Sequence, residues 1–264
     1  MTIEAITLGL DDILFDTENE HLDACNAAFA SCGLTLRWEI PQLRRAIRLR
    51  GASNAVVAAL DGIASPTDAN VRRLVQEKNR LYLQRLAAAR PLPHAGYMQL
   101  IRDAHASGCK LAIVTGMPAL TSTTLLDMAF GAEATSIFAT VVSHADFEDT
   151  RGYGPHELVL RTIGVEPENC IAIHTAVPAL RAAQRSGIWT LSVTRYEKDI
   201  SRINGANLWC PQLQELQHII GQRTPRAERR PEHFVTFDGL HDLRARSLRN
   251  EAVAAQQSHY RQFA

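Results

Sequence analysis

Short apolar runs recur along the chain at residues 5–10, 110–115, 138–143, 170–174 and 189–194, and turn-forming residues bound each of them. Helix-length segments separate most of the runs. Buried strands of a parallel sheet read as continuous apolar stretches, and connecting helices then cover both faces, so the pattern predicts a Rossmann-like α/β core. Gly108 and Gly187 each stand just before a run, where helix C-cap glycines fall in such units. A weaker run at 206–210 predicts a last edge strand. No internal repeat interrupts this order.

Residues 18–90 depart from the alternation. They read as helical throughout, punctuated by Gly33, Gly51, Gly62 and the Ser65-Pro66 pair. An insertion of helices after the first strand follows. The chain returns through Arg90-Pro91-Leu92-Pro93, a stiff, hinge-like segment, because proline fixes its own φ.

Composition adds bounds. The 264 residues are 46% hydrophobic and 21% charged, enough for a sizeable core in one large domain or a core with an inserted cap. Formal net charge is zero, so no global field favours nucleic acid or an anionic membrane. No window reaches the roughly 18 apolar residues of a membrane span, and Met1-Thr2-Ile3-Glu4 begins no basic-then-apolar leader. A cytoplasmic location is expected. Cys25, Cys32, Cys109, Cys170 and Cys210 show neither metal-ligand nor redox spacing and read as small core residues.

The segment from Ala5 to Glu18 carries more than a strand. Its residues Gly9-Leu10-Asp11-Asp12-Ile13-Leu14-Phe15-Asp16-Thr17-Glu18, with His21 after them, resemble the first motif of the haloacid dehalogenase (HAD) superfamily, in its phosphoglycolate phosphatase and β-phosphoglucomutase-like branch. In words, that motif is aspartate, any residue, aspartate, glycine, threonine, leucine, any residue, aspartate, threonine, glutamate. Asp11, Leu14, Asp16, Thr17, Glu18 and His21 fit it. Gly9 stands at the nucleophilic aspartate, Asp12 at the glycine and Ile13 at the threonine.

The resemblance implies covalent phosphoryl chemistry. The first aspartate attacks phosphorus, the second moves the leaving-group proton, and Mg²⁺ neutralises the charge. Glycine can neither form an aspartyl-phosphate nor bind the metal. Taking Asp11 as nucleophile instead would put Ile13 at the acid/base position.

Three further motifs follow in the family's order. Thr115-Gly116, at the end of the second core strand, fits the hydroxyl and amide that hold a phosphoryl group; the plainer reading is a threonine that caps the next turn. The lysine of the third motif falls on Arg151 when counted from 138–143 and on Thr150 when counted back from Gly164. Arg151 would keep the charge but as a planar fork, and a solvated loop arginine is the alternative. The acidic pair of the fourth motif is replaced by His174 and Thr175. Imidazole suits Mg²⁺ poorly, so Asp11 is the only carboxylate left at a matching position and no metal is expected.

The resemblance thus implies a HAD-like core at 1–17 and 91–221, a four-helix cap at 18–90 and a C-terminal extension at 222–264. Within the cap, Arg50-Gly51-Ala52-Ser53 falls where the family has a loop over the active site, so Arg50 and Ser53 join Asp12, Thr115, Gly116 and His174 as candidate ligand contacts. Thr115, Arg151 and Asp11, as a remnant acid/base, are the candidate catalytic positions.

Two functions stay open. One is a pseudoenzyme, a hydrolase by fold that is silent as a Mg²⁺-dependent phosphatase and binds a small anionic or phosphorylated ligand or a protein partner. The other is a phosphatase or hydrolase of altered mechanism, with Asp11, Asp12 and His174 activating water or holding a softer metal. Beyond residue 222 the likeness ends in an arginine- and proline-bearing linker, an apolar run at 234–237 and a helix at about 240–260. That helix is expected on its own core or on a second subunit, as in a homodimer; a partner or anion surface is the alternative.

Overall fold

The structure, a computed structural model, describes residues 2–10, 13–61, 68–143, 153–193, 206–210 and 236–262, the side chains of Cys210 and of 251–262 excepted. Its centre is a six-stranded, wholly parallel sheet: β1 (Ala5–Leu8), β2 (Lys110–Val114), β3 (Phe138–Val142), β4 (Cys170–His174), β5 (Trp189–Val193) and β6 (Leu208–Cys210). The spatial order is β3-β2-β1-β4-β5-β6. β1 lies between β2 and β4, with Leu8 opposite Ile113 and Ile173. The strands stop one or two residues short of several apolar runs. Leu10 and Thr115 stay buried beyond the last ladder residue, so their apolarity or burial marks the floor of the site rather than the strand.

Alternation along the strands sorts the two faces. Ile6, Leu8, Ile113, Ile171, Ile173 and Leu191 meet helices α4 (Ala95–Ala106) and α5 (Ala119–Phe130) in the larger core cluster. After α5 come α6 (Ala134–Ile137), α7 (Pro155–Ile163) and α8 (Val177–Arg185). On the opposite face the strands present smaller residues, Ala5, Ala112, Val114 and Ala172, against Val159, Leu160 and Ile163 of α7 and Ala183 of α8. Burying a large aliphatic side chain contributes roughly 1.5–3 kcal/mol, so these two layers dominate the stability. Gly108 and Gly187 adopt φ of 77° directly after α4 and α8, the left-handed turn that lets each helix feed the next strand.

Between β1 and α4 the chain forms α1 (Glu18–Ser31), α2 (Ile40–Arg50), a 3-10 helix (Ala55–Leu60) and α3 (Ala69–Ala89). Three α-helices and one 3-10 turn thus stand in the described part of the predicted four-helix insertion. They share a cluster of their own that includes Phe29, Leu43, Ile47, Val56 and Leu74. Outgoing and returning chains are tied together: Phe15 and Pro93 form an antiparallel bridge, and the His94 amide donates to the Leu14 carbonyl at 2.7 Å. α2 packs back against α8, so the insertion leans over the end of β4.

The C-terminal helix α9 (Phe237–Gln262) is part of the main core along its first turns. Phe237, Leu240 and Leu243 are buried in the larger cluster, and Arg244 donates to the Glu168 carbonyl just before β4. Of the three roles the sequence leaves open for this helix, packing on its own core is the one its first turns take. No described helix is long and apolar enough to cross a membrane.

Candidate functional site

Open parallel sheets place ligands beyond the carboxyl ends of their strands, and here β1, β2 and β4 converge at that edge. Gly9 follows β1 and donates its amide to the Ile173 carbonyl at 3.0 Å. Continuing the register by one residue sets it between Val114 and His174. A Cβ at position 9 would stand 3.0 Å from Nδ1 of His174 and 3.2 Å from Cδ1 of Ile13. The imidazole therefore fills the space into which a side chain at position 9 would grow.

His174 is buried, and so is its neighbour His156, the second residue of α7. Their rings meet edge to face with centroids 5.0 Å apart. His156 Nδ1 in turn lies 3.3 Å from the Thr7 hydroxyl, in hydrogen-bonding range. Burial pushes the His156 imidazole down to about 4, opposed in part by a backbone hydrogen bond at Ala179. His174 is held well below its ordinary range, by burial first and by His156 second. Both rings are neutral near pH 7. Nε2 of His174 and the hydroxyl of Ser192, its β5 register partner, are buried without a hydrogen-bond partner.

Thr115 is buried at the end of β2, where its hydroxyl oxygen accepts from the Met117 amide at 3.2 Å. That bond is the turn cap of the plainer sequence reading, and it leaves the hydroxyl proton free to donate. The Gly116 amide has no protein partner among the described residues. Thr115 and Gly116 thus keep two donors at the strand ends. Thr175 follows His174 and is half-buried. Asp11, Asp12 and Arg151 lie outside the described residues.

In the insertion, Arg50 Nη2 donates to Asp61 Oδ1 at 2.6 Å in an exposed ion pair, while Ser53 is buried. Two groups here went unread in the sequence. Lys78 is fully buried on α3, with Nζ 2.6 Å from the Ala52 carbonyl and 5.0 Å from the ring centre of Tyr82. Tyr82 donates to the Thr17 hydroxyl at 2.9 Å and stacks on His21, ring centroids 3.7 Å apart. The signal was present: Val71, Leu74, Lys78, Tyr82 and Leu86 make one buried stripe at helical spacing, and a lysine on such a stripe is a buried cation. His156 left no comparable mark. Its contact with Thr7 spans 149 residues.

The buried thiols carry no chemistry. Desolvation pushes Cys109 and Cys170 up to about 12 and Cys25 to about 11, so all three stay protonated, as core residues do. Among the described residues, no three histidines, cysteines or carboxylates are grouped to hold a metal ion. The donors seen at the motif positions, a bare glycine, a buried imidazole and a hydroxyl, do not suit Mg²⁺, which takes hard, mostly carboxylate and water oxygens.

No family model matches the chain. The plasmid-borne CbbY of Cupriavidus necator is 29% identical over 237 residues, 86% of this chain and 92% of that one. The crystal structure of a CbbY mutant from Rhodobacter sphaeroides in complex with xylulose-(1,5)bisphosphate superposes with a TM-score of 0.67 at 23% identity, covering 81% of this chain and 96% of that one. The fold is that of the haloacid dehalogenase superfamily. The β-phosphoglucomutase from Clostridium difficile shares the fold as well, with a TM-score of 0.62, 16% identity and coverage of 83% and 96%. In this chain Thr115 and Gly116 follow β2, while Gly9 and His174 occupy adjacent space at the neighbouring strand ends.

Proposed function

We propose that this HAD-like protein is a non-catalytic binder of a small phosphorylated or otherwise anionic ligand. One observation carries the reading: the His174 imidazole stands where a nucleophilic side chain at position 9 would have to emerge. Loss of the nucleophile, loss of the Mg²⁺ carboxylates and their replacement by a buried neutral ring are then one coordinated change. Each lost group would otherwise supply several kcal/mol of barrier lowering, about tenfold in rate per 1.4 kcal/mol, so no useful phosphatase rate is left.

Binding has simpler needs than turnover. Thr115 and Gly116 offer donors at the strand ends, and Arg151, by the motif count, adds a cation. The CbbY of Rhodobacter sphaeroides has been crystallised with phosphate and, as a mutant, with xylulose-(1,5)bisphosphate, which makes phosphorylated sugars the first ligands to test. The helical insertion acts as the cap in this reading, with Arg50 and Ser53 in the segment that closes over the ligand. α9 and the arginine-bearing tail supply a surface for a second subunit or a protein partner.

The test is thermal. Phosphate or a sugar phosphate, without added metal, raises the melting temperature, and Thr115→Val reduces the shift. Equal shifts in wild type and variant would remove Thr115 from the site.

A further inference from the structure

The donor set at the motif positions does not suit Mg²⁺, yet an anion at the sheet edge needs compensating charge. We propose that His174 supplies it: the site binds a tetrahedral dianion together with one proton, and the resulting imidazolium takes the electrostatic place of a metal. The inference rests on the anion-binding reading above and says how that site is regulated, namely by pH.

Three observations carry it. His174 ends β4 beside Gly9, so its ring borders the edge at which Thr115 and Gly116 present donors. Its Nε2 is buried with no partner, as is the hydroxyl of its β5 register partner Ser192, two orphaned polar atoms side by side on one face of the sheet. Native interiors leave few such atoms, and a pair of them at a ligand-binding edge marks a place where a polar guest belongs. Only a bare glycine at position 9 leaves the ring this place, since a Cβ there would stand 3.0 Å from Nδ1.

Among the described residues, nothing holds the proton in the free state. The groups that face His174 are the His156 imidazole from α7, the bare backbone of Gly9 and the apolar Ile13 beyond β1, and the Ser192 position on β5. On α7 and α8 the charged residues Glu157, Arg161, Arg181 and Arg185 point outward, Glu157 pairing with Arg161 at 3.5 Å. Among the described residues, no carboxylate contributes to the electrostatics of either ring. An arriving dianion changes that balance, since an opposite charge nearby favours the protonated ring. The proton comes from solvent and leaves with the anion.

Sulfate is the probe, because its charge is constant from pH 5.5 to 7.5. Calorimetry should show its dissociation constant falling by up to about tenfold for each unit of pH lowered. Buffers of different ionisation enthalpy should report close to one proton taken up per sulfate. His174→Gln should flatten this dependence, and Thr115→Val should weaken binding at every pH while leaving the slope. In the wild type, which serves if His174→Gln does not fold, one histidine Cε1 proton resonance should shift its titration midpoint upward on adding sulfate. Sulfate binding that is independent of pH, with no histidine midpoint moving, would overturn the proton coupling and leave the anion site standing. No sulfate binding at any pH would overturn both.

Discussion

Nδ1 of His174 lies 3.0 Å from the point where a Cβ on Gly9 would stand, tighter than ordinary carbon–nitrogen contact. Any side chain at position 9 must push the imidazole or Ile13 aside. Overpacking of this kind costs about 1–3 kcal/mol, so Gly9→Asp is expected to lower stability by that amount in urea unfolding and to restore no phosphatase activity. A glycine-like stability for Gly9→Asp would mean that the ring yields freely.

Relieving both contacts should reverse the outcome. Gly9→Asp combined with His174→Glu, Thr175→Asp and Ile13→Thr, with Arg151→Lys to restore the ammonium, rebuilds hard oxygen donors while removing the two groups that crowd position 9. Mg²⁺ binding by calorimetry is expected in the combined variant and not in Gly9→Asp alone, where two unscreened carboxylates, one at position 9 and one at Asp11, repel each other. Tight Mg²⁺ binding by the single variant would show that other residues already complete a metal site.

Acid should unfold the protein through its buried histidines. The His156 imidazole is depressed from 6.5 to about 4, so its neutral form is favoured in the folded state. The unfolded chain takes up the proton first as pH falls below about 6.5. Stability is therefore full above that value, declines towards pH 4 and levels off below it, a loss of about 3 kcal/mol from this residue. His174 adds to the loss in the same direction. Urea midpoints from pH 7.5 to 4 read the slope, and His156→Gln should make it shallower; an unchanged slope would place the acid sensitivity elsewhere.

Most of the fold was legible because parallel strands advertise themselves. Residues 170–174 and 110–114 are apolar runs that ladder almost as read, whereas Leu10 and Thr115 overran their strands by being buried for another reason. Gly9 could be singled out only because the surrounding motif resembles a known one. Its fit to His174, 165 positions away by their residue numbers, could not be seen, since side-chain contact across strands depends on register. Lys78 went unread because charge usually means exposure, although its stripe of buried neighbours marked it. The sequence left α9 between its own core, a second subunit and a partner surface, and the burial of its first turns is likewise a tertiary fact.

That burial can be weighed. Leu240 is wholly buried in the larger core cluster, on a helix that the sequence alone left between three roles. Leu240→Ala is expected to cost about 2–5 kcal/mol in chemical denaturation. A cost under about 0.5 kcal/mol, the scale of surface changes, would mean that α9 does not belong to the core.

The central claim, that the position-9 space is given over to His174 and the chemistry has gone with it, is tested most directly by assaying hydrolysis of p-nitrophenyl phosphate and sugar phosphates with Mg²⁺ and other divalent metals. The expected result is no turnover above an Asp11→Ala control. A turnover number of about 1 s⁻¹ or more that disappears in Asp11→Ala would contradict the account and make the protein a phosphatase of altered mechanism.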